Sequence, residues 1–342
     1  MAAFEQTKEW HEKAINLYES GANLSTRKIA KILGMGKTQV GDYLKYYRES
    51  KENLEVAEDV IKVMGELSAK TPIKTFPKHW SKVLVIDIET SPVLGYVWSL
   101  WKQNIGLNQI KEDWHLLSFA AKWLGDSEDK IIYMDQRNEP NIEDDTNLLY
   151  KLWELLDSAD FLITQNGKSF DIKKIRARMV MKGFKPFSPI KHIDTLEIAK
   201  KTFGFTSNKL EYMTDKLCET YTKSKHKKFV GFELWSECLK GNLEAWQEME
   251  EYNKLDILSL EELYYILAPW SDRLPNPNLY TEDNVTRCNC GSENIIEDGY
   301  ATTEISKFKR YRCKDCGHIM RGRKNLLSKE KRETILSNYR EN

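Results

Sequence analysis

The chain has 342 residues, and its 52 lysine and arginine residues balance 52 aspartate and glutamate residues, so net charge points to no partner. It has no run of 18 apolar residues, and MAAFEQTKEWHEK lacks a basic stretch leading into an apolar core. Neither a membrane span nor a secretory leader is therefore expected, and an intracellular, cytoplasmic protein is the default. The length allows two or three domains, and a hydrophobic fraction of 41% is enough to build a core.

Residues 5–50 read as helical, within an N-terminal module predicted over 1–50. Within STRKIAKILGMGKTQVGDYLKYY, Ser25 can cap a helix, and Ala30 is small where a second helix would cross. Gly34 sits where the turn needs a positive φ. Val40, Ile29, Leu33, Met35 and Leu44 complete an apolar set. A charged helical linker is predicted for 51–81, closing with the two prolines of TPIKTFPKHW. Strand patterns then follow in VLVIDI, LLSFAAKWL and KIIYMD. A helix over NLLYKLWELL has Asp145 and Thr146 as cap candidates. FLITQN is a fourth strand, a basic helix spans about 169–182, and KHIDT is a fifth strand. Asp194 and Glu197 there have the spacing of a capping box. The rest, to about 268, reads as helix. The predicted class is α/β: a mixed sheet over 82–270 with flanking helices, beside a small all-α domain and a small cysteine module. A linker is expected over 271–286, the cysteine module over 287–325, and a charged tail helix over 326–342.

Asp87 and Glu89 alternate along the first strand, so both side chains face one side. NGKSFD sets Asn166, Phe170 and Asp171 at the start of a helix, and YNKLD sets Tyr252 and Asp256 four apart on one helical face. For either of the first two acids alone, a solvated strand end, with Thr90 and Pro92 opening a loop, would suffice. Four acids converging on one point would need cations. Oxygen ligands without His or Cys favour Mg²⁺ or Mn²⁺. Two such ions about 4 Å apart form the clamp used for in-line attack on a phosphodiester.

D-x-E, then N-x3-F-D, then Y-x3-D, in that order, resembles the DEDD superfamily of 3′–5′ exonucleases, over roughly residues 82–270. The tyrosine points to the subclass that includes the proofreading domains of family-A and family-B DNA polymerases. The resemblance implies an RNase H-like fold, with Asp87, Glu89, Asp171 and Asp256 as ligands for two Mg²⁺ or Mn²⁺ ions. It also implies that Tyr252 orients the attacking water. A phenol with an ordinary pKa of about 10 is a poor base near neutrality. Asn166 would either contact substrate or serve as a turn residue before Gly167. Phe170 is expected in the core, and Asp194 as a helix N-cap rather than an outer acid. Lys168, Lys173, Lys174, Arg176, Arg178, Lys182 and the run KSKHKK at 223–228 either track phosphates or form solvated faces.

The N-terminal segment resembles the helix-turn-helix of DNA-binding proteins, which would present Lys37, Thr38, Gln39 and Asp42 to a major groove. A hairpin for protein contacts is the alternative. At the other end, Cys288-x-Cys290 and Cys313-x2-Cys316 enclose 22 residues and resemble a zinc ribbon with one Zn²⁺. Arg287 stands where a cysteine is usual, which leaves His318 as a competing ligand. Cys218 and Cys238 read as ordinary buried thiols. Residues 305–325 hold eight Lys/Arg against one acid, with Phe308 and Tyr311 interleaved. Lys309, Arg310 and Arg312 are therefore expected to bind nucleic acid.

Taken together, these features predict a metal-dependent 3′–5′ exonuclease for single-stranded ends, of DNA before RNA. A replication or repair protein is an expected partner, and a phage or mobile element a fitting source. A transposase-like or structure-specific endonuclease and a non-catalytic DNA-binding regulator are the competing readings.

Overall fold

The computed structural model describes residues 9–22, 24–48, 51, 81–221 and 228–339. The chain divides into two units, Met1–Pro72 and Ile73–Asn342. Residues 52–80 of the predicted linker, with its two prolines, and the KSKHKK run apart from Lys228 lie outside the described residues.

In the first unit, α1 (Glu9–Glu19) packs on α2 (Thr26–Leu33), and a third helix, α3, covers 37–48. Ile29, Ala30, Val40 and Leu44 of the predicted set are buried between them together with Ala14 and Tyr43, while Leu33 and Met35 are partly buried against this cluster. Gly34 ends α2 at φ 64°, a conformation that a side chain disfavours. Ser25 occupies the N-cap position, but its side chain makes no capping bond. Its carbonyl instead accepts from Lys28 N–H at 2.8 Å and Ile29 N–H at 3.0 Å.

The second unit is built on β1 (Val83–Thr90). The chain leaves β1 through a small hairpin of β2 (Leu94–Gly95) and β3 (Ile110–Glu112), then returns as β4 (Leu116–Trp123), antiparallel to β1. β5 (Ile132–Asp135) lies antiparallel to β4, while β6 (Phe161–Thr164) and β7 (Lys191–Asp194) run parallel to β1 on its other side. The sheet order is β5-β4-β1-β6-β7, with β1 central. Leu84, Ile86 and Ile88 point to one face and pack under α4 (Thr146–Asp157) and α5 (Asp171–Met181). Val85 points to the other face, against α6 (Thr195–Thr202), α7 (Leu210–Leu217) and α9 (Leu243–Leu267), while α8 (Phe232–Leu239) packs beside α9. The continuous apolar run of β1 is thus explained by helices on both faces.

Several expectations are corrected here. Among the described residues, the stretch predicted helical to about 268 is four helices, with glycines at 204, 231 and 241 in the breaks. Asp145 stands at the N-cap of α4 but caps nothing with its side chain. It is fully buried and takes a two-pronged bond from Arg178, Nε–H to Oδ2 at 2.6 Å and Nη2–H to Oδ1 at 2.9 Å. Arg178 is therefore internal and does not track phosphates. Among the described residues of the tail, the one helix is the short α10 (Lys329–Glu333). The 271–286 linker is not a free tether: Pro277 is buried and the Tyr280 ring lies 5.1 Å from that of Phe161.

A second buried pair joins β4 to α9. Lys122 donates to Glu261, which also accepts from Gly125 N–H at 2.8 Å. Lys122→Met is expected to cost about 3–5 kcal/mol, because it strands a buried carboxylate. Adding Glu261→Leu should recover much of that loss. Urea midpoints of the single and double variants check this, and equal losses in both would remove the ion-pair account.

Candidate functional site

The pleat of β1 that buries Val85 also turns Asp87 and Glu89 toward α9. They sit opposite Ala120 and Ser118 of β4, and the register shifts just after Glu89. Such a bulge ends regular pairing and re-aims the side chains beside it. Asp171 opens α5 at the C-terminal end of β6, and its Oδ1 accepts from Ile88 N–H at 3.3 Å. That bond ties the third acid to the strand of the first two. On α9, one turn separates Tyr252 from Asp256. Burial pushes the Tyr252 phenol up, and so do the charges of Asp256, Glu89 and Asp87. Three of the acids therefore gather around one phenol, and the fourth is bonded to the strand between Asp87 and Glu89.

Burial pushes the carboxyl of Asp171 up to about 7, with repulsion from Asp194 adding to it, against the backbone N–H groups of Asp171 and Ile88. A buried acid raised in this way favours a proton or a cation beside it. The donors are all oxygen, which suits hard divalent ions. The four carboxylates do not close into one tight ligand set. Among the described residues, only Cys288, Cys290, Cys313 and Cys316 form a set of three or more such ligand atoms all within 4.8 Å.

Two positioning residues escaped the sequence reading. Asn253 is fully buried; its Nδ2–H donates to Asp87 Oδ2 at 2.8 Å, and its Oδ1 accepts from Ser118 Oγ–H at 3.2 Å. Trp235 of α8 donates its Nε1–H to Glu89 Oε2 at 3.2 Å, and its ring meets Tyr252 edge-on at 6.3 Å. A buried Asn beside the motif tyrosine was a signal that could have been read, since a buried amide needs partners. Nothing in the sequence around Trp235 pairs it with Glu89.

Asn166 takes φ 65°, a left-handed conformation that Asn tolerates better than most residues. Its side chain is exposed and lines a cavity of about 570 Å³ with Gln165, Lys200, Asn208 and Lys209. Gly167 can carry no side chain, because a Cβ there would meet Thr164 Oγ1 at 2.2 Å. Asp194 caps α6 through Leu196 N–H at 3.0 Å, as predicted. It also accepts from Asn166 N–H at 2.9 Å and Lys168 N–H at 3.1 Å, bracing the loop before Asp171. Glu197 does not complete a capping box and pairs with Lys168 at 2.5 Å. Phe170, expected in the core, is 39% exposed, because it stands at the N-cap of α5 outside the helix–sheet layer.

His192 on β7 shares a 2.8 Å hydrogen bond with Thr164, and burial pushes its pKa down to about 4. An unfolded histidine titrates near 6.5, so the unfolded chain takes up the proton first as pH falls. Stability is therefore present above about pH 6.5 and lost as pH falls toward 4. The loss is expected to be about 1–2 kcal/mol after screening. Urea midpoints across pH 4–7 should slope less in His192→Gln, and parallel profiles would exclude this residue as the source.

In the C-terminal part, β8 (Ile295–Thr302), β9 (Lys307–Cys313) and β10 (Ile319–Arg321) form an antiparallel sheet. Sγ of Cys288 is 3.5 Å from that of Cys316, and Sγ of Cys290 is 3.7 Å from that of Cys313. Four sulfurs about 2.3 Å from a tetrahedral ion would stand about 3.8 Å apart, so this set can hold one metal ion. His318 Nδ1 lies 3.8 Å from the sulfur of Cys288, outside the four-sulfur set. Arg287 is taken up by Asp283 at 2.7 Å and Glu293 at 3.0 Å. Lys309 pairs with Glu297 at 2.6 Å, and Arg310 and Arg312 both reach Asp298. The basic strand is therefore partly neutralised. In the first unit, Lys37, Thr38, Gln39 and Asp42 are exposed on α3. Cys218 and Cys238 are buried, and burial pushes both thiols up to about 12. Among the described residues, no helix is long and apolar enough to cross a membrane.

Residues 106–268 match the RNase_H_2 family model of the RNase_H superfamily. That segment is an RNase H-like domain. The match begins after Asp87 and Glu89, which stand on the central strand of the same sheet. No curated protein matches the chain by sequence. Among solved structures it is similar to a family B DNA polymerase from the hyperthermophilic archaeon Pyrobaculum calidifontis, at 12% identity and a TM-score of 0.37. That similarity covers 58% of this chain and 26% of the polymerase.

Proposed function

From the premise of an RNase H-like domain, we propose that the chain is a metal-dependent 3′–5′ exonuclease of the DEDD type, tyrosine subclass, acting on single-stranded nucleic-acid ends, DNA foremost. The observation that carries this reading is the gathering of Asp87, Glu89 and Asp256 around Tyr252, with Asp171 bonded to the strand between the first two. In this reading Asp87, Glu89, Asp171 and Asp256 hold two Mg²⁺ or Mn²⁺ ions, which would neutralise phosphoryl charge and ease ionisation of the attacking water. Asn253 and Trp235 hold Asp87 and Glu89 in fixed orientations. Tyr252 keeps its proton at neutral pH, because burial and three nearby acids oppose phenolate formation. It therefore orients the attacking water through its hydroxyl rather than acting as a base. Asn166 and the exposed face of its cavity would meet the strand next to the cut bond.

In the same proposal, residues 82–270 form the nuclease domain, 1–50 a DNA-binding helix-turn-helix and 287–325 a zinc ribbon. Lys37, Thr38, Gln39, Lys309, Arg310 and Arg312 would contact the nucleic acid. Partial pairing of the last three with Glu297 and Asp298 means that phosphate must displace those acids.

The test is incubation with a 5′-labelled single-stranded oligonucleotide and Mg²⁺, beside a closed single-stranded circle. A ladder of shortening products on the linear strand, with the circle intact, supports the exonuclease. Cutting of the circle would move the reading to an endonuclease. Tyr252→Phe should lower kcat by about 10²-fold with little change in KM, the scale of a misplaced reactant. An unchanged kcat would remove Tyr252 from the mechanism.

A further inference from the structure

We propose that the excursion between β1 and β4, residues 91–114, is a stacking surface for the bases of a single-stranded nucleic acid. The proposal rests on the nuclease reading and extends it to how the strand is held. Three rings stand out on this segment: Trp98 is 93% exposed, Trp101 81% and Tyr96 68%. Leu100 and Leu107 are exposed beside them. A solvated cluster of large apolar groups of this kind marks an interaction surface.

The segment is built rather than loose. Tyr96 N–H donates to Gln109 O at 2.8 Å, and Gln109 Nε2–H returns a bond to Tyr96 O at 2.9 Å. Gly106 N–H donates to Gln109 Oε1 at 2.9 Å, and Gln103 Nε2–H donates to Trp101 O at 2.8 Å. Its foot is closed by Ser91 and His115, whose backbone and side chains bond at 2.9–3.1 Å. That foot directly follows Glu89 and Thr90. Leu94 is five residues from Glu89, so at most about 17 Å of extended chain separates the hairpin from that carboxylate.

The chemistry of the surface selects the partner. Flat aromatic faces accept any base, and stacking on them is tolerant of sequence. From 91 to 110 the chain has no acidic residue and carries Lys102; at the end of the segment Lys111 pairs with Glu112 at 2.9 Å, and Asp113 follows. A chain of phosphates meets no repelling charge along the part that bears the rings, since both acids of the segment, Glu112 and Asp113, stand at its end. The amide residues Gln103, Asn104 and Asn108 follow the rings on the same excursion, as suits a wet polyanion better than a dry protein interface.

The test uses the full chain carrying Asp87→Asn, so that binding is read without cleavage and without a chelator that would strip the cysteine set. Anisotropy is followed for a fluorescein-labelled 12-mer of thymidylate and for an abasic 12-mer with the same phosphates. Trp98→Ala combined with Trp101→Ala is expected to weaken binding of the thymidylate strand at least about tenfold, since one stacked base is worth about five- to 150-fold. Binding of the abasic strand should not change. Trp98→Phe with Trp101→Phe should keep most of the affinity, which separates stacking from misfolding. With Asp87 restored and Mg²⁺ present, the alanine pair should raise KM and leave kcat at saturation unchanged. Equal losses on both strands, or no loss on either, overturn the proposal. So does self-association of the wild type that the alanine pair abolishes, which would assign the surface to a second copy of the chain. If the wild type binds bases through these rings yet cleaves nothing, the nuclease reading fails and the stacking surface stands.

Discussion

Asp87→Asn is expected to reduce phosphodiester cleavage by at least about 10³-fold while leaving the fold intact. A metal clamp supplies several kcal/mol of transition-state stabilisation, and each 1.36 kcal/mol is tenfold in rate. Asparagine has nearly the same shape but cannot carry the ligand charge. It can still pair with Asn253, whose amide offers both a donor and an acceptor. The core around β1 does not depend on the charge, since Leu84, Val85, Ile86 and Ile88 supply the packing. The variant should therefore match the wild type in its thermal midpoint, or exceed it, because one of several crowded acids is gone. Cleavage by 5′-labelled ladder and a melting curve on the same sample check both halves. Activity within tenfold of wild type would sink the carboxylate assignment. Asp171→Asn should behave alike in activity. Asn253→Ala should lose less, because it frees the orientation of Asp87 without removing it.

Much of this arrangement was legible in the sequence because its signals are local. The alternation of Asp87 and Glu89 needs only the period of a strand, and the four-residue step from Tyr252 to Asp256 only that of a helix. The mixed sheet with flanking helices followed from strands interspersed with helices, and the family match over 106–268 agrees with it. What escaped was contact between distant residues. Trp235 and Glu89 are 146 positions apart, and Arg178 and Asp145 are 33 apart. A basic helix in sequence does not reveal that one of its arginines turns inward to a buried acid. Asp145 was read as a cap for the same reason: its position is right, but tertiary pairing outcompeted the local bond. The hairpin at 91–114 also escaped, since YVWSLWKQNIGL resembles core sequence until its side chains are seen in solvent.

Stripping metal from the cysteine set should unfold the β8–β10 sheet. Zinc held by such a set contributes about 10–16 kcal/mol at neutral pH, which is folding free energy for a module this small. The sheet's other resources are thin: among its strand residues only Cys313 is buried, and Cys288 is buried in the loop before it. The consequence should also reach the nuclease domain. Burial pushes the phenol of Tyr264 up, and the charges of Cys290, Cys288 and Cys316 push it further, so the cluster lies near α9. That helix carries Tyr252 and Asp256 about three and two turns before Tyr264, respectively. Loss of the module should thus expose the C-terminal half of α9 and lower the thermal midpoint of the whole second unit. It should not by itself remove the carboxylates, which are held by Asn253, Trp235 and Ile88. One zinc per chain should be released by a thiol reagent and read with a chromogenic chelator. Limited proteolysis after release should then cut first within 305–325, where eight basic residues offer sites. Cys313→Ala with Cys316→Ala should reproduce the same cleavage without any reagent. If the purified chain holds no metal and the cysteine variants resist protease like the wild type, the four sulfurs are a packed thiol cluster and the sheet stands on its own hydrogen bonds.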